Sequence, residues 1–167
     1  EAEQAYEEAD TLYRTIATFK DSAEHIAAMP DLIQKRDIAA RRASARNVIA
    51  AGGHCTIGLK SDGTVVAVGE NDEGQCNVSD WTDIVAVSVD YYHAVGLKKD
   101  GTVVVAGGNK YGECDVSDWT DIVAVTTGWN HTVGLKSDGT VVATGNNEDG
   151  QCNVSGWTDI GGNTTLQ

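Results

Sequence analysis

Histidine and cysteine are the side chains best suited to hold a metal, shuttle a proton or attack a carbonyl, and this 167-residue chain has four of each. Their spacing points away from chemistry. Cys76, Cys114 and Cys152 follow one another at 38-residue intervals, so they mark one position of a repeating unit rather than a ligand cluster. A disulfide needs Cα atoms within about 7 Å, which equivalent outer sites on neighbouring units should not reach. These thiols are expected as small buried apolar side chains, and they leave the redox compartment open. His93 and His131 share the same interval and align with Cys55, while His54 falls one place earlier and is expected to be exposed. The sequence has no His-Glu-x-x-His, no Cys-x-x-Cys, no phosphate-binding glycine loop and no Gly-x-Ser-x-Gly. Two acidic loops, Glu70-Asn71-Asp72-Glu73 and Asn146-Asn147-Glu148-Asp149, invite a calcium reading. They lack the alternating ligand spacing of a calcium loop, and the middle copy places Lys110 there. They are expected as solvated turns. The chain is thus read as a non-enzyme with no catalytic residue, no metal and no cofactor.

The units that carry these residues are the main signal. Trp81, Trp119 and Trp157 stand 38 apart, each in Val-Ser-(Asp/Gly)-Trp-Thr-Asp-Ile. Gly63, Gly101 and Gly139 keep that interval within Lys-(Ser/Lys)-Asp-Gly-Thr-Val-Val, as do Gly74, Gly112 and Gly150. Self-similarity at such a period marks stacked repeats. Within the second copy, Ile84–Ser88, His93–Leu97 and Thr102–Ala106 read as short strands. Gly96 suggests close approach of another backbone, and Asp100-Gly101 supplies a hairpin turn. Three or four strands per unit fit a propeller blade. The expected fold is mainly β: three blades of a partial β-propeller, about 48–85, 86–123 and 124–161 within 48–167, preceded by a small α-helical segment over 1–47. Three blades fall short of the roughly 4–8 that close a ring. An open arc exposes strand edges and apolar faces, so an oligomer, or further repeats in a longer protein, is expected. After Ile160 the anticipated strand gives way to Gly161-Gly162-Asn163.

Residues 131–151, His-Thr-Val-Gly-Leu-Lys-Ser-Asp-Gly-Thr-Val-Val-Ala-Thr-Gly-Asn-Asn-(x2)-Gly-Gln, resemble the regulator of chromosome condensation repeat in its short bacterial form. The other copies depart at Cys55, in place of histidine, and Glu113, in place of glutamine. The resemblance covers residues 48–160. It implies a propeller, commonly of seven blades, in which the histidine of each repeat satisfies the blade interior. A propeller of similar short repeats inhibits β-lactamases through its rim loops, so the resemblance also admits a protein inhibitor of a hydrolase. Exchange-factor activity on a small GTPase, found among eukaryotic members, has no residue-level counterpart here.

Residues 1–46 follow a helical period, with Ala5, Ala9, Leu12, Ile16 and Phe19 on one face. Asp21-Ser22 can cap a second helix, ended by Pro30, and a third can start at Asp31. This stretch resembles a tetratricopeptide-like hairpin. Lys35, Arg36, Arg41, Arg42 and Arg46 crowd the third helix, either as a solvated face or as a surface docking on the acidic repeats. The net charge of −13 is uneven: residues 1–47 hold nine acids and seven bases, and residues 48–167 sixteen acids and five bases. So acidic a surface repels phosphate backbones and anionic lipid; neither nucleic acid nor membrane is expected as a partner. No apolar run reaches the roughly 18 residues of a membrane span. The first residue is Glu1, which leaves open a removed leader or an excised fragment; localisation stays unassigned.

Binding is expected where the copies disagree. Scaffold positions nearly coincide, yet one site reads Gly53-His54, Tyr91-Tyr92 and Trp129-Asn130, and another Asp72-Glu73, Lys110-Tyr111 and Glu148-Asp149. Both fall at strand ends, hence on rim loops. Tyr and Trp there offer large contact area at low entropic cost; the alternative is that Tyr91 and Trp129 pack between blades. The candidate partner-binding residues are His54, Tyr91, Tyr92, Tyr111, Trp129 and Asn130. The functional expectation is a protein-interaction module for an unidentified partner, the alternative an assembly module whose blades join copies of the chain.

Overall fold

The computed structural model describes residues 47–161, all within one compact unit, Ile38–Gln167. The helices and tetratricopeptide-like hairpin expected over 1–46, the basic cluster Lys35–Arg46, and Gly162-Asn163 lie outside the described residues.

The described chain forms nine strands in three separate three-stranded sheets. The first holds β1 (Ile49–Gly52), β2 (Cys55–Leu59) and β3 (Val65–Gly69). The second holds β4 (Ile84–Val89), β5 (His93–Lys98) and β6 (Val103–Gly107), and the third β7 (Ile122–Gly128), β8 (His131–Lys136) and β9 (Val141–Gly145). Each is an antiparallel meander with its middle strand paired on both sides. The expected mainly β, blade-like architecture is therefore what the described residues adopt. The stretches between sheets, such as Glu70–Asp83, carry no strand; overlapping turns from Gly74 to Trp81 take its place.

The hairpin tips differ from the two-residue turn that Asp-Gly suggests. In Lys60-Ser61-Asp62-Gly63-Thr64, the Gly63 N–H bonds to the Lys60 carbonyl at 3.1 Å and the Lys60 N–H to the Thr64 carbonyl at 2.9 Å. This is a three-residue loop whose last residue takes the left-handed conformation, with Gly63 at φ 82°. Aspartate contributes through its side chain instead. Asp62 Oδ1 accepts from the Thr64 N–H at 2.9 Å and hydroxyl at 2.6 Å, and Asp100–Thr102 and Asp138–Thr140 repeat this. The threonine hydroxyl, then its amide, hold the Asp62 and Asp138 carboxyls below the usual carboxylate range. A depressed carboxylate stabilises the fold above its unfolded pKa, and that contribution fades as pH falls through the folded value.

Each sheet is stitched to the next through these tips. The Ile84 N–H bonds to the Gly63 carbonyl at 3.1 Å, and Ile122 to Gly101 and Ile160 to Gly139 at 3.0 Å. The residue before each isoleucine, Asp83, Asp121 or Asp159, takes a positive φ near 60°, which aspartate tolerates better than most residues. Two apolar cores lie between consecutive sheets. One gathers Ile57, Val65, Val78, Trp81, Ile84 and Val87; the other Val95, Leu97, Val116, Trp119, Ile122 and Val125. In each, the indole of one repeat lies against a glycine of the next. A Cβ added to Gly96 would sit 2.8 Å from the Trp81 ring, and one on Gly134 2.7 Å from Trp119. The close approach anticipated at Gly96 is thus real, but a side chain makes it. Trp81 and Trp119 are 6% and 8% exposed, whereas Trp157 is 53% exposed.

This packing predicts unequal effects for one chemical change. Trp119→Ala is expected to cost about 3–5 kcal/mol in urea unfolding, and Gly96→Ala about 1–3 kcal/mol through overpacking. Trp157→Ala should leave the unfolding midpoint of the isolated chain within about 0.5 kcal/mol of the parent.

Candidate protein-binding site

The antiparallel meander places the β1–β2, β4–β5 and β7–β8 loops at one end of their sheets, together with the segments leaving β3, β6 and β9. Register shows this: Cys55 pairs with both Gly52 and Gly69, and His93 with Gly107. The two variable sites therefore share one rim.

On that rim the rings of His54, Tyr91, Tyr92 and Trp129 form a continuous array centred on Tyr91. His54 meets Tyr91 edge-on at 5.3 Å between centroids, Trp129 meets it at 5.8 Å, and Tyr92 lies tilted at 6.0 Å. Such edge-to-face separations are attractive between aromatic quadrupoles. Tyr91 packs between the rings of neighbouring repeats and remains 40% exposed. Its ring lies on Gly53, where an added Cβ would come within 2.8 Å of Cγ. Trp129 is 68% exposed, and His54 is exposed. Asn130 is half-buried, its carbonyl accepting from the Asn146 N–H at 2.8 Å. Tyr111 stands apart from the array among the described residues; Lys110 Nζ lies 5.2 Å from its ring centroid.

The backbone beneath the rings is held in place. The buried Gln75 amide donates to the Tyr91 carbonyl at 3.1 Å and its oxygen accepts from the Glu73 N–H. Asp90, also buried, accepts from the N–H groups of Tyr92 at 2.9 Å and His93 at 3.3 Å. Neither Gln75 nor Asp90 was evident as a site residue from sequence. The available signal was that positions 52, 90 and 128 read Gly, Asp, Gly.

Behind the rim runs a chain of polar contacts from sheet two to sheet three. Asp90 Oδ1 lies 3.4 Å from His93 Nδ1, and His93 Nε2 lies 2.8 Å from Thr132 Oγ1. Thr132 in turn donates to the Glu113 carbonyl at 2.7 Å. With the hydroxyl proton so committed, His93 Nε2 must be the donor to Thr132. Acid, imidazole and hydroxyl in this order mimic a nucleophile relay, but His93 and Thr132 are fully buried and no substrate carbonyl can reach them. They pair with each other in the blade interior through His93 Nε2, as the resemblance implied for His93, while His93 Nδ1 and Asp90 Oδ2 have no hydrogen-bond partner among the described residues. His131, in the same repeat position, is half-buried against its own Gly128.

The acidic loops are internally bonded turns. Asn71 Oδ1 accepts from the Cys76 N–H at 2.8 Å while its amide donates to Asn77 at 2.9 Å, and Asn109 and Asn147 repeat the pattern. Among the described residues no three His, Cys, Asp or Glu side chains gather as a metal site. Cys76, Cys114 and Cys152 are half-buried rather than fully buried, each thiol donating to a backbone carbonyl, of Glu70, Gly108 and Asn146 respectively. Burial pushes the Cys114 thiol up to about 11, helped by the charges of Glu113, Asp115 and Asp90, and burial raises Cys152 too. No helix among the described residues is long and apolar enough to cross a membrane.

Residues 84–113 and 122–151 match the family described as Regulator of chromosome condensation (RCC1) repeat. Two of the three repeats of the chain are thus similar to RCC1 repeats. No curated protein sequence matches it. Among solved structures, yeast RCC1 (Prp20), crystallised with Kap60, superposes with a TM-score of 0.50 at 21% identity over 58% of this chain and 29% of its own. Human WBSCR16 gives 0.54 at 20% identity, over 66% and 37%. The CRINKLY WD40 ectodomain of the Arabidopsis thaliana receptor kinase ACR4 gives 0.50 at 21% identity, over 59% and 36%. The chain spans about a third of the length of these structures, and at such identity the likeness is one of fold.

The buried polar chain predicts that Thr132→Val, which keeps shape but removes the hydroxyl, costs about 1–3 kcal/mol by leaving His93 Nε2 and the Glu113 carbonyl unpaired. Chemical denaturation measures this. The equivalent Thr56→Val, at an exposed position of β2, should change little.

Proposed function

We propose that the chain is a non-catalytic protein-interaction module that engages its partner through the rim array His54, Tyr91, Tyr92 and Trp129, with Asn130 and Tyr111 at its margins. The observation that carries this reading is the continuous ring cluster itself. Four aromatic side chains stay solvent-facing, and Gln75 and Asp90 anchor the backbone of Tyr91 and Tyr92 at their centre. Anchors of this kind lose little entropy on binding because they are already positioned. The exposed carboxylates of Glu70, Asp72, Glu73, Glu148 and Asp149 lie on segments at the same rim. They suit a partner surface with an apolar cleft bordered by lysine or arginine. Propellers with RCC1 repeats generally serve as binding domains, which agrees with this reading.

A second reading, assembly, is favoured by a mismatch between the two ends of the arc. Trp157 is 53% exposed, and among the described residues Gly58, the counterpart of Gly96 and Gly134, has no indole against it, an added Cβ meeting Val66 at 3.4 Å. The two ends are complementary, so a second copy of the chain, or another repeat of the same kind, fits there.

For the first reading, Trp129→Ala and Tyr91→Ala should each weaken a purified partner about 30-fold or more by calorimetry, the scale of an interface hot spot. Val66→Ala, on the outer face of the first sheet, should leave affinity unchanged; equal affinity for all three variants would refute the rim assignment. For the second, light scattering should show a mass rising with concentration above 17.6 kDa, abolished by Trp157→Ser. A constant monomer mass removes self-assembly.

A further inference from the structure

We propose that Cys55 and Cys76 form a disulfide site that staples the first sheet to its outer turn. The two sulfurs lie 2.9 Å apart, less than an ångström beyond the roughly 2.0 Å of a covalent S–S bond. They come from different elements, Cys55 from the first position of β2 and Cys76 from the turn beyond β3, 21 positions along the chain. The Cys76 proton is directed to the Glu70 carbonyl, 3.2 Å away, which leaves Cys55 as donor to the Cys76 sulfur.

This juxtaposition occurs once. Cys114 and Cys152 occupy the position of Cys76 in the next two repeats and keep its bond to a backbone carbonyl. The position of Cys55 there holds His93 and His131, so no second thiol arises. The substitution that breaks the histidine pattern in the first repeat is the one that supplies the partner for Cys76. It falls in the least covered sheet, where β1 is largely open to solvent and Val66 and Val68 of β3 are exposed. A cross-link there restrains the unfolded chain where the packing is thinnest.

The two sulfurs differ in access, which sets the order of events. Cys55 is buried and Cys76 half-buried, so a small disulfide such as oxidised glutathione meets Cys76 first. The Cys76 thiolate, its proton lost to water, attacks one sulfur of that disulfide, forming a mixed disulfide and releasing one small thiolate. Cys55 then loses its proton to water, attacks Cys76 Sγ and expels the second small thiolate. Both small thiolates take up protons. Two protein thiols are oxidised and one small disulfide is reduced to two thiols.

The test is made on the full chain, equilibrated with oxidised and reduced glutathione, quenched in acid, then unfolded, alkylated and digested. The expected result is one cross-linked peptide pair joining Cys55 to Cys76, two hydrogens lighter than the separate peptides, with Cys114 and Cys152 alkylated. The oxidised chain should also melt several degrees above the reduced chain. Cys55→His, which installs the residue of the other two repeats, should abolish the cross-link and that melting difference, leaving Cys76 alkylated. Alkylation of both Cys55 and Cys76 in the parent chain overturns the proposal. So does glutathione left on Cys76, or a Cys76 link to Cys114, Cys152 or a second chain. Because oxidised and reduced forms of one chain are compared, the conclusion holds even if the variant folds poorly.

Discussion

An indole pressed onto a glycine of the next repeat is the contact on which the rest of this structure depends. Short three-stranded sheets need a hydrophobic face to be stable, and among the described residues each sheet has three strands. Stability must therefore come from stacking, as in other repeat architectures. Trp81 fills the space that the missing Cβ of Gly96 leaves open, and Trp119 does so at Gly134. Around each contact Val, Ile and Leu side chains from both sheets close a core. The tip-to-isoleucine hydrogen bonds recur in step with these cores, so one spacing is imposed from sheet to sheet.

That spacing is what creates the rim surface. Positions 53–54, 91–92 and 129–130 are far apart in sequence, but equal stacking brings their loops into one row. There the rings of His54, Tyr91 and Trp129 touch in succession. Beneath them Asp90, His93, Thr132 and Glu113 cross from the second sheet to the third through buried polar contacts. The His93–Thr132–Glu113 bonds of this chain form only in one alignment of the sheets, so they add specificity to the apolar packing. A rigid repeated frame with unlike tips separates the residues that stabilise the molecule from those free to differ.

Much of this was legible in the sequence because the repeat announces itself. The 38-residue interval places Trp81 and Trp119 in equivalent surroundings, and the alternation of Val, Ile and Thr marks the strands. The rim residues were accessible too, since comparing the copies isolates the positions that vary. Other features needed coordinates. Asp-Gly suggests a two-residue turn, but the Lys60–Thr64 loop is one residue longer and uses the Asp62 side chain as a hydrogen-bond acceptor. A single glycine cannot say what approaches it, so the indole on Gly96 read as backbone. The 38-residue spacing groups Cys76 with its repeat partners, whereas its neighbour in space is Cys55, within the same repeat. Periodicity favours comparisons between repeats and hides contacts inside one. Tyr111 lies near the rim in sequence logic, yet its ring pairs with Lys110 rather than with the array.

The central claim is that repeat-to-repeat indole burial organises the fold, and fluorine NMR of the chain labelled with fluorotryptophan tests it most directly. The four tryptophans give four resonances, and a soluble paramagnetic agent reports which are shielded. Burial of Trp81 and Trp119, with Trp129 and Trp157 open, predicts two resonances that resist broadening and two that broaden readily. Uniform broadening of all four, or protection of Trp157 equal to that of Trp81 in a monomeric sample, would contradict the account.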